Sequence, residues 1–378
     1  MSKTEFNAKN TFRRQCLDVE TLSMIQLERS VESFRNLLPL ELIKRAKRIV
    51  ASGCGDSFLA AAEAKEAFAK YLPDIEYETP TGIEAGRYAS FKEEEPDTIV
   101  VSISVSGGPS RVSEILLRGN KHGCATIALT DNKESNAAKN AKYLYHTNTP
   151  AGDNVSGLRT YYVSMISLYI MAAVMGEIRS GNEYLPDLRA AVRAYAESFY
   201  ARIEEIDDIA YDTALAWKEK RFFEVTADGP MFFCGKFIQA KFAELSGDVC
   251  SVIDSENYFH VNGLMYPGES IGEMTIIPSC DANTDRIADT VNMQVTRGGR
   301  EVIVFSDKKP EELGINQRVI HCPLPVPPKE WSFLSPLLSY IPASLFASYR
   351  AAVTAEPYFR GGAFFPHMTL GNNPIKLI

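Results

Sequence analysis

The sequence has few residues of several kinds that mark specialised classes of protein. Its 378 residues include five histidines and seven cysteines, and no two cysteines form a Cys-x-x-Cys pair. An odd number of widely spread thiols argues against a disulfide framework and against a zinc site, and it favours a reducing compartment. No group of His, Asp and Glu has the spacing of metal ligands, so we expect neither a metal nor a cofactor.

Long apolar runs and an excess of positive charge are also missing. The longest apolar run, around residues 163–174, is shorter than a bilayer span, and the N-terminus lacks the apolar core of a signal peptide. We therefore expect a cytoplasmic protein that contacts no membrane. The net charge of −8 disfavours nucleic acid as a partner, because binding to its phosphates needs concentrated positive charge. An anionic ligand would have to be held locally.

The length and the residue pattern predict an α/β protein with two domains. A chain of 378 residues exceeds the roughly 100–200 residues of one typical domain. From Arg48 onward, short β-branched runs alternate with amphipathic stretches, which is typical of strand–helix–strand units in parallel sheets. We predict an N-terminal helical segment over residues 1–45, domains over 46–190 and 191–345, and a closing helix end with an irregular C-terminal tail over 346–378.

The strand–helix pattern occurs twice, which indicates two related halves. In the first half we predict strands at residues 49–52, 75–79, 98–104, 125–130 and 143–146. A long apolar helix at 158–177 and a helical connection over 186–220 lead into the second half. There we predict strands at 231–234, 250–253, 274–277, 302–305 and 319–322, and one closing helix over 333–353.

Two segments of glycines and small hydroxyl residues follow predicted strands directly. The first is Ser52-Gly53-Cys54-Gly55-Asp56-Ser57, and the second is Ser104-Val105-Ser106-Gly107-Gly108-Pro109-Ser110. Ligands of open α/β sheets bind at the carboxyl ends of the strands. In the second segment, glycines let backbone N–H groups turn toward an anion and hydroxyls add donors, so a phosphate would satisfy it. The alternative is a tight turn whose serines only cap the next helix.

Neither segment has the residues of a nucleotide-binding loop. A Walker motif ends in Lys followed by Ser or Thr, and a dinucleotide-binding turn reads G-x-G-x-x-G; both patterns are missing from these segments. ATP and dinucleotides are therefore disfavoured as ligands.

The pair of segments resembles the SIS (sugar isomerase) family. In that family the first loop reads Cys-Gly-Thr-Ser and the second reads Ser-x-Ser-Gly-Glu-Thr, and they hold a sugar phosphate. The matching positions here are Cys54, Gly55, Ser57, Ser104, Ser106 and Gly107. The resemblance implies an α/β fold of two SIS subdomains, each a parallel sheet flanked by helices, with a phosphosugar as the ligand.

The chain departs from the SIS pattern in both loops. Asp56 replaces the threonine of the first loop, and Gly108-Pro109-Ser110 replaces the Glu-Thr that ends the second. We expect Ser110 to supply the last hydroxyl from one position later. Because a carboxylate beside a phosphate would repel it, we expect Asp56 to face a sugar hydroxyl or an amine.

A helix of the second half resembles the isomerase domain of glucosamine-6-phosphate synthase and the fructosamine-6-phosphate deglycases. Glu244 stands where the family has its catalytic glutamate, and His260 follows sixteen positions later, as the ring-opening histidine does in that synthase. Aldose–ketose conversion needs a base that moves a proton between C1 and C2 and an acid/base that opens the ring. The alternative for Glu244 is a solvated carboxylate paired with Lys241.

The C-terminal tail holds one further candidate. A tail lysine of the synthase reaches the sugar carbonyl, and Lys376 is the corresponding candidate here; a solvated terminal charge is the alternative. Among the other histidines, His367 lies in the glycine-rich tail and stays open, whereas His122, His146 and His321 are more typical of core or surface positions.

The resemblance implies an enzyme that acts at C1/C2 of a 6-phosphorylated amino sugar or fructosamine and releases an amine. An aldose–ketose phosphosugar isomerase or an amino-sugar phosphate deaminase is the first alternative, and a non-catalytic phosphosugar sensor is the second. Since Ser2 replaces the nucleophilic cysteine of the synthase's glutaminase domain, we expect no complete glutamine-dependent synthase. The family's sites are commonly completed by a histidine of a neighbouring subunit, which implies a homodimer or a higher homo-oligomer.

Overall fold

The computed structural model describes residues 3–153, 156–362 and 375. Within them, the strands are β1 (Arg48–Gly53), β2 (Glu76–Glu78), β3 (Thr98–Ile103), β4 (Ala125–Thr130), β5 (Tyr143–His146), β6 (Phe222–Thr226), β7 (Val249–Ile253), β8 (Ile271–Ile276), β9 (Glu301–Ser306) and β10 (Ile320–Pro323).

The α-helices of the described residues are α1 (Lys3–Lys9), α2 (Thr11–Phe34), α3 (Leu40–Arg45), α4 (Asp56–Glu63), α5 (Lys65–Tyr71), α6 (Ser110–Lys121), α7 (Asn136–Asn140), α8 (Leu158–Ser180), α9 (Leu185–Tyr200), α10 (Ile203–Ala216), α11 (Met231–Leu245), α12 (Ser255–His260), α13 (Thr284–Thr296), α14 (Pro336–Ser339) and α15 (Ile341–Val353). Short 3-10 helices lie at Asn262–Leu264, Gly268–Ser270, Pro310–Leu313, Lys329–Leu334 and Tyr358–Gly362, and a π-helix lies at Glu84–Tyr88.

The chain divides into two compact units. Of the described residues, the first unit contains 21–152, 157–190 and 375, and the second contains 3–20, 153, 156 and 191–362. The first unit therefore holds β1–β5 and the second holds β6–β10.

The first unit is built on a parallel sheet with the strand order β2-β1-β3-β4-β5. Every residue of β3 and β4 is buried, as in parallel sheets that are covered on both faces. Helix α6 packs Ile115 against Val50 and Val100, and Val112 and Leu116 against residues of β4 and α7. This spacing of three and four residues is that of the buried stripe of a surface helix.

Helix α8 is apolar around its whole circumference. One 18-residue window of it has a mean hydropathy of 1.4, so by length and composition it could cross a membrane, but 89% of that window is buried inside the structure. The helix also extends to Ser180, beyond the predicted end at residue 177. Such burial is typical of a core helix in an α/β fold.

The second unit repeats the architecture with the strand order β10-β9-β8-β6-β7, again parallel throughout. Part of its core is formed by Ile287 and Val291 of α13 against Val302 and Val304 of β9. The predicted fold class, an α/β protein with two parallel sheets flanked by helices, is confirmed. The predicted irregular tail lies outside the described residues from 363 onward, apart from Ile375.

One strand prediction of the second half was wrong. Residues 231–234 are not a strand but the first turn of α11, in which Met231, Cys234, Ile238 and Lys241 are buried at helical spacing. The strand that starts this half is β6, which the sequence analysis left unassigned. Its central residue is Glu224, and a buried charged residue interrupts the apolar pattern by which strands are recognised.

The closing helix is shorter than predicted. Residues 333–353 form parts of a 3-10 helix, α14 and α15 rather than one helix. Pro336 and Pro342 lie in the first turn of α14 and of α15, where the missing N–H and the fixed φ of proline are tolerated. A proline in the interior of one continuous helix would remove a hydrogen bond, so the prolines divide the segment.

Candidate active site

In the first unit, the two predicted loops leave the same edge of the sheet side by side. Strand β1 pairs with β3 so that Gly53 lies opposite Ile103, which makes Cys54 and Ser104 the next residues on neighbouring strands. The first loop leads into α4 and the second into α6. Each helix start presents backbone N–H groups without intrahelical partners and a partial positive charge, which favour an anion.

The second loop turns sharply at Gly107. The φ of this residue is +58°, in the left-handed region that favours glycine. Its N–H donates to the carbonyl and to the Oγ of Ser104, at 3.2 and 3.1 Å, and the Gly108 N–H donates to Ser106 Oγ at 3.3 Å. These bonds are those of a serine-stabilised turn, the alternative that the residues left open. A hydroxyl that accepts one bond still has its own hydrogen to donate, so the turn also leaves donors for an anion.

The end of β4, the loop of residues 131–135 and the start of α7 support the turn at Gly107. The Ala137 N–H donates to the Gly107 carbonyl at 3.1 Å, and Thr130 Oγ1 donates to the Val105 carbonyl at 3.0 Å. A Cβ atom added to Gly107 would collide with the side chain of Ser135. This loop was not predicted, because its sequence Asp-Asn-Lys-Glu-Ser lacks the glycines and the paired hydroxyl residues that identified the other two.

The first loop is shaped by two glycines. Gly55 has φ +56° directly before α4, and a Cβ on Gly53 would lie 2.6 Å from the Cβ of Ser57 and 2.8 Å from the Ile103 carbonyl oxygen. Cys54 is exposed between these glycines. The tight backbone brings the start of α4 close to the end of β3, next to the second loop.

Asp56 lies at the start of two helices. It is the first residue of α4, and a Cβ on Gly157, the residue before α8, would lie 3.4 Å from Asp56 Oδ2. A carboxylate is stabilised at helix N-termini, which gives Asp56 a structural role. The expectation that it also faces a sugar hydroxyl or amine stays a prediction.

A basic cluster that the sequence analysis missed lies beside the first loop. Arg111, the second residue of α6, pairs with the fully buried Glu114, which Arg87 also approaches at 3.4 Å. A Cβ on Gly82 would lie 2.7 Å from Cys54 Sγ and 3.4 Å from Arg111 Cγ, so this arginine is near the loop. Burial, and then the neighbouring Arg87, lower the pKa of Arg111. Two guanidinium groups against one carboxylate leave net positive charge here, which favours an anion.

The corresponding edge of the second unit is acidic. The aspartates Asp228, Asp254, Asp281 and Asp307 follow β6, β7, β8 and β9. Asp228 accepts from the Ser255 N–H at 2.7 Å and from Ser255 Oγ at 2.5 Å. Burial raises the pKa of Asp281, and the charge of Asp228 contributes. Four carboxyl groups at this edge disfavour an anion there.

Glu244 lies in a hydrogen-bonded group of three side chains in the second unit. Lys241 Nζ donates to Glu244 Oε2 at 2.6 Å and to Ser156 Oγ at 2.9 Å, and Ser156 Oγ also donates to Glu244. The Lys241 side chain is 0% exposed and the Glu244 side chain 31% exposed. The Lys241 ammonium also lies 4.6 Å from the centre of the Phe237 ring. The pair is therefore not a solvated surface pair, since its lysine is fully buried.

This arrangement holds one carboxylate in a fixed orientation while leaving part of it accessible. A buried ammonium loses its hydration and is tolerated because Glu244 and Ser156 replace the lost hydrogen bonds. Such a carboxylate can accept and return a proton at a bound ligand. Lys241 and Ser156 were not among the predicted site residues, and Ser156 carried no sequence signal because it lies outside the helix of Glu244.

Among the described residues, His260 makes no hydrogen bond or ion pair with Glu244, Lys241 or Ser156. It is the last residue of α12, its side chain is 67% exposed, and its Nε2 lies 3.6 Å from the exposed Glu256. The other described histidines contact backbone carbonyls: His122 that of Lys92, His146 that of Asp131 and His321 that of Ser306. Exposure leaves His260 available to a ligand or a second chain.

Lys376 and His367 lie outside the described residues. Across residues 3–153, 156–362 and 375, no group of three His, Cys, Asp or Glu side chains is placed to hold a metal ion. The cysteines of these residues are free thiols.

Comparison with known proteins identifies relatives for both units. Residues 42–175 match the family model of the SIS domain. The glutamine–fructose-6-phosphate aminotransferase (isomerizing) of Clostridium tetani is 23% identical over 341 residues, which cover 86% of this chain and 52% of the relative. The chain thus spans about half the length of the curated relatives it matches.

Two solved structures show the same fold over nearly the whole chain. The C-terminal domain of the glucosamine–fructose-6-phosphate aminotransferase of Francisella tularensis has a TM-score of 0.75 at 17% identity, covering 92% of this chain and 97% of that one. The tagatose-6-phosphate ketose/aldose isomerase of Escherichia coli has a TM-score of 0.72 at 13% identity, covering 94% and 96%.

The predicted resemblance to the SIS family and to the isomerase half of the synthase is therefore confirmed. Residues 42–175 match the SIS domain model, and the chain has the two-sheet fold of these two solved structures.

Proposed function

We propose that this chain is an enzyme that acts at C1/C2 of a 6-phosphorylated amino sugar or fructosamine and releases an amine, as deglycases do. The observation that carries the proposal is the half-buried carboxylate of Glu244, held by the wholly buried Lys241 and by Ser156. A protein that only binds a phosphosugar has no need for a carboxylate held in this way. The likeness to SIS proteins supports a phosphosugar as the ligand, and the group of Glu244, Lys241 and Ser156 supports proton transfer as the reaction.

The phosphate is assigned to the loops of the first unit. Ser104, Ser106, Gly107 and Ser110 supply hydroxyl and backbone donors at the start of α6, and the cluster of Arg87, Arg111 and Glu114 adds net positive charge. The segment Cys54-Gly55-Asp56-Ser57 borders the same edge. Binding energy from the phosphate, which does not react, positions the carbons that do.

Glu244 is assigned the proton transfer. In the open-chain form of a fructosamine 6-phosphate, C2 is a carbonyl and C1 carries the amine. Glu244 removes a proton from C1 and returns it to C2, while the C2 oxygen gains a proton and the amine nitrogen loses one, which converts the ketose amine into the imine of an aldose. Water then adds to the imine carbon, and the amine and the aldose 6-phosphate leave. The step consumes one water and needs no oxidant or reductant.

His260 is assigned to ring opening, in a homodimer or larger assembly. Its exposed position at the end of α12 is followed by the exposed apolar residues Val261, Leu264, Met265 and Tyr266. An exposed apolar patch of this kind marks an interaction surface. We assign this surface to a second copy of the chain, so that His260 serves the neighbouring subunit. Lys376 is assigned to the sugar carbonyl, and a cytoplasmic location fits a metabolic enzyme of this fold.

Two alternatives use the same binding groups. An aldose–ketose isomerase or an amino-sugar phosphate deaminase would need the same base and ring-opening group, and the likeness to the E. coli ketose/aldose isomerase favours it as the second candidate. A non-catalytic sensor would bind the phosphosugar without using Glu244. The products separate the enzymes, and the effect of removing the carboxylate separates the sensor.

The test combines ligand screening with one substitution. Phosphorylated hexoses, hexosamines and fructosamines are screened by thermal shift, because a ligand at 100 times its Kd stabilises by about 2.7 kcal/mol. Compounds that bind are assayed for amine release and for isomerisation. We expect Glu244→Gln to lower kcat by about 10²–10⁴-fold while the thermal shift remains.

The matched control is Glu219→Gln, which changes an 81% exposed carboxylate of the same unit and should leave kcat unchanged. A turnover of Glu244→Gln equal to that of the wild type would refute the proposal. Isomerisation without amine release would replace the deglycase assignment with the isomerase.

A further inference from the structure

A fully buried ionic network lies beneath the segment that carries His260. Arg300 Nη1 donates to Glu224 on β6 and to Glu273 on β8, each at 2.5 Å, and the side chains of all three residues are 0% exposed. The two glutamates lie opposite each other in the register of these strands. Removing Arg300 would leave both buried carboxyl groups without their shared donor, so this network has one well-defined arrangement.

Arg300 of this network also contacts the chain on both sides of His260. Two positions before it, the ring of the buried Tyr258 lies 5.0 Å from the Arg300 guanidinium. Two positions after it, Arg300 Nη2 donates to the carbonyl of Asn262 at 2.6 Å, and the Asn262 amide donates to Glu224 Oε2. The histidine thus lies between two anchored residues, together with Phe259 and the exposed Val261.

The far end of the same segment is held by the turn that precedes Arg300. A Cβ added to Gly268 would collide with the carbonyl of Gly298, so the two backbones touch. Between Asn262 and Gly268 the chain is exposed, with Leu264 81% and Tyr266 91% accessible. An exposed segment that is fixed at three points keeps its shape without packing of its own.

We propose that Arg300 and Asn262 are positioning residues for His260, because the buried network fixes the backbone on both sides of this histidine and so sets its geometry for ring opening. The inference rests on the proposed function. A displacement of about 1 Å in a catalytic group can cost about 10²-fold in rate, which is the size of effect that loss of an anchor should produce. Neither residue touches the sugar; both act through His260.

The test separates ring opening from proton transfer. A fructosamine 6-phosphate closes its ring by attack of the C5 hydroxyl on C2, so its 5-deoxy analogue stays open and has no need of His260. We expect Asn262→Ala to lower kcat with the ring-forming substrate by about 10–100-fold and to leave kcat with the 5-deoxy analogue unchanged. His260→Ala should show the same selective loss. Asn292→Ala, which removes a side-chain bond to the Gly314 carbonyl in the same unit, is the control and should lose neither activity.

Arg300→Lys provides a second variant, since a lysine keeps the charge but cannot bridge two carboxylates and a carbonyl; if it folds, it should show the same selective loss. If Asn262→Ala lowers both activities equally, or lowers neither, while His260→Ala is selective, the positioning role is wrong and the proposed function stands. If His260→Ala itself is not selective, the ring-opening role of His260 is wrong, and the inference falls with it.

Discussion

Single residues set the shape of the second loop, residues 104–110, to which we assign the phosphate. Gly107 has a left-handed backbone, and its N–H and carbonyl both make hydrogen bonds within this edge of the first sheet. The next residue, Gly108, has a backbone that other amino acids adopt, and a Cβ on it would lie 3.6 Å from Ser106 Oγ, an ordinary contact. The two adjacent glycines therefore have different reasons to be present.

This difference predicts opposite outcomes for two similar variants. Gly107→Ala should destabilise the protein by at least about 1–2 kcal/mol, the cost of a left-handed backbone with a side chain, and it should weaken phosphosugar binding because the loop must shift away from Ser135. Gly108→Ala is the control and should leave the free energy of unfolding unchanged. Urea unfolding and titration with the phosphosugar that binds best measure both quantities. Equal stability of the two variants would contradict the loop geometry.

At the level of strands, the pairing of β6 with β8 places two glutamates opposite each other around one arginine. Burial, and then the charge of Glu224, raise the pKa of Glu273 well above its ordinary value of 4.5, although Arg300 opposes the shift. A carboxyl group whose pKa is raised by folding stabilises the protein below its unfolded pKa. That stability is lost as the pH rises through the folded pKa, since the unfolded chain releases the proton more readily.

Glu273→Gln tests this linkage, because glutamine keeps the shape but has no proton to release. We expect the stability of the variant relative to the wild type to increase as the pH rises from about 5 to 8, by at most about 1.4 kcal/mol per pH unit. Thermal unfolding of both proteins across this range measures it. Glu219→Gln, an exposed carboxylate, should show no such trend. A stability difference that is independent of pH would mean that Glu273 is ionised throughout.

At the scale of the whole molecule, the proposed assembly depends on the exposed segment that follows His260. The exposed apolar residues after His260 belong to a segment that is anchored from beneath, so they form a fixed surface. A fixed apolar surface costs less conformational entropy to bury in an interface than a mobile one. We therefore propose that an interface between copies of the chain would lie at this segment.

Light scattering should give at least about twice the chain mass of 41.9 kDa for the wild type. Leu264→Asp should shift the protein toward the monomer and lower turnover, because a buried unpaired carboxylate opposes association and His260 would lose its partner site. Leu40→Asp, at a residue that is 57% exposed in α3, is the control and should keep the assembly intact. A wild-type protein that is monomeric at all concentrations would refute the proposed interface between copies of the chain.

Much of the fold was readable from local pattern. The alternation of short apolar strands with amphipathic helices predicted two parallel sheets, and the runs after residues 103 and 53 predicted both loops of the first edge. These features depend on neighbours in the chain, such as the glycines and serines that follow a strand. In β6 the buried charged residue Glu224 interrupts the apolar pattern of the strand, so the sequence did not predict this strand.

The contacts of the candidate site residues could not be predicted from the sequence, because they depend on the tertiary structure. Lys241 reads as a surface partner of Glu244, and only the fold shows that it is buried and shared with Ser156, 85 residues away in the chain. Likewise, Arg300 meets Glu224 across 76 residues and Asn262 across 38. Composition and spacing determine which elements form, because those depend on adjacent residues. Which residues pair with a buried charge is decided when the sheets and helices pack against each other. These partners are distant in the sequence, so only the tertiary structure identifies them.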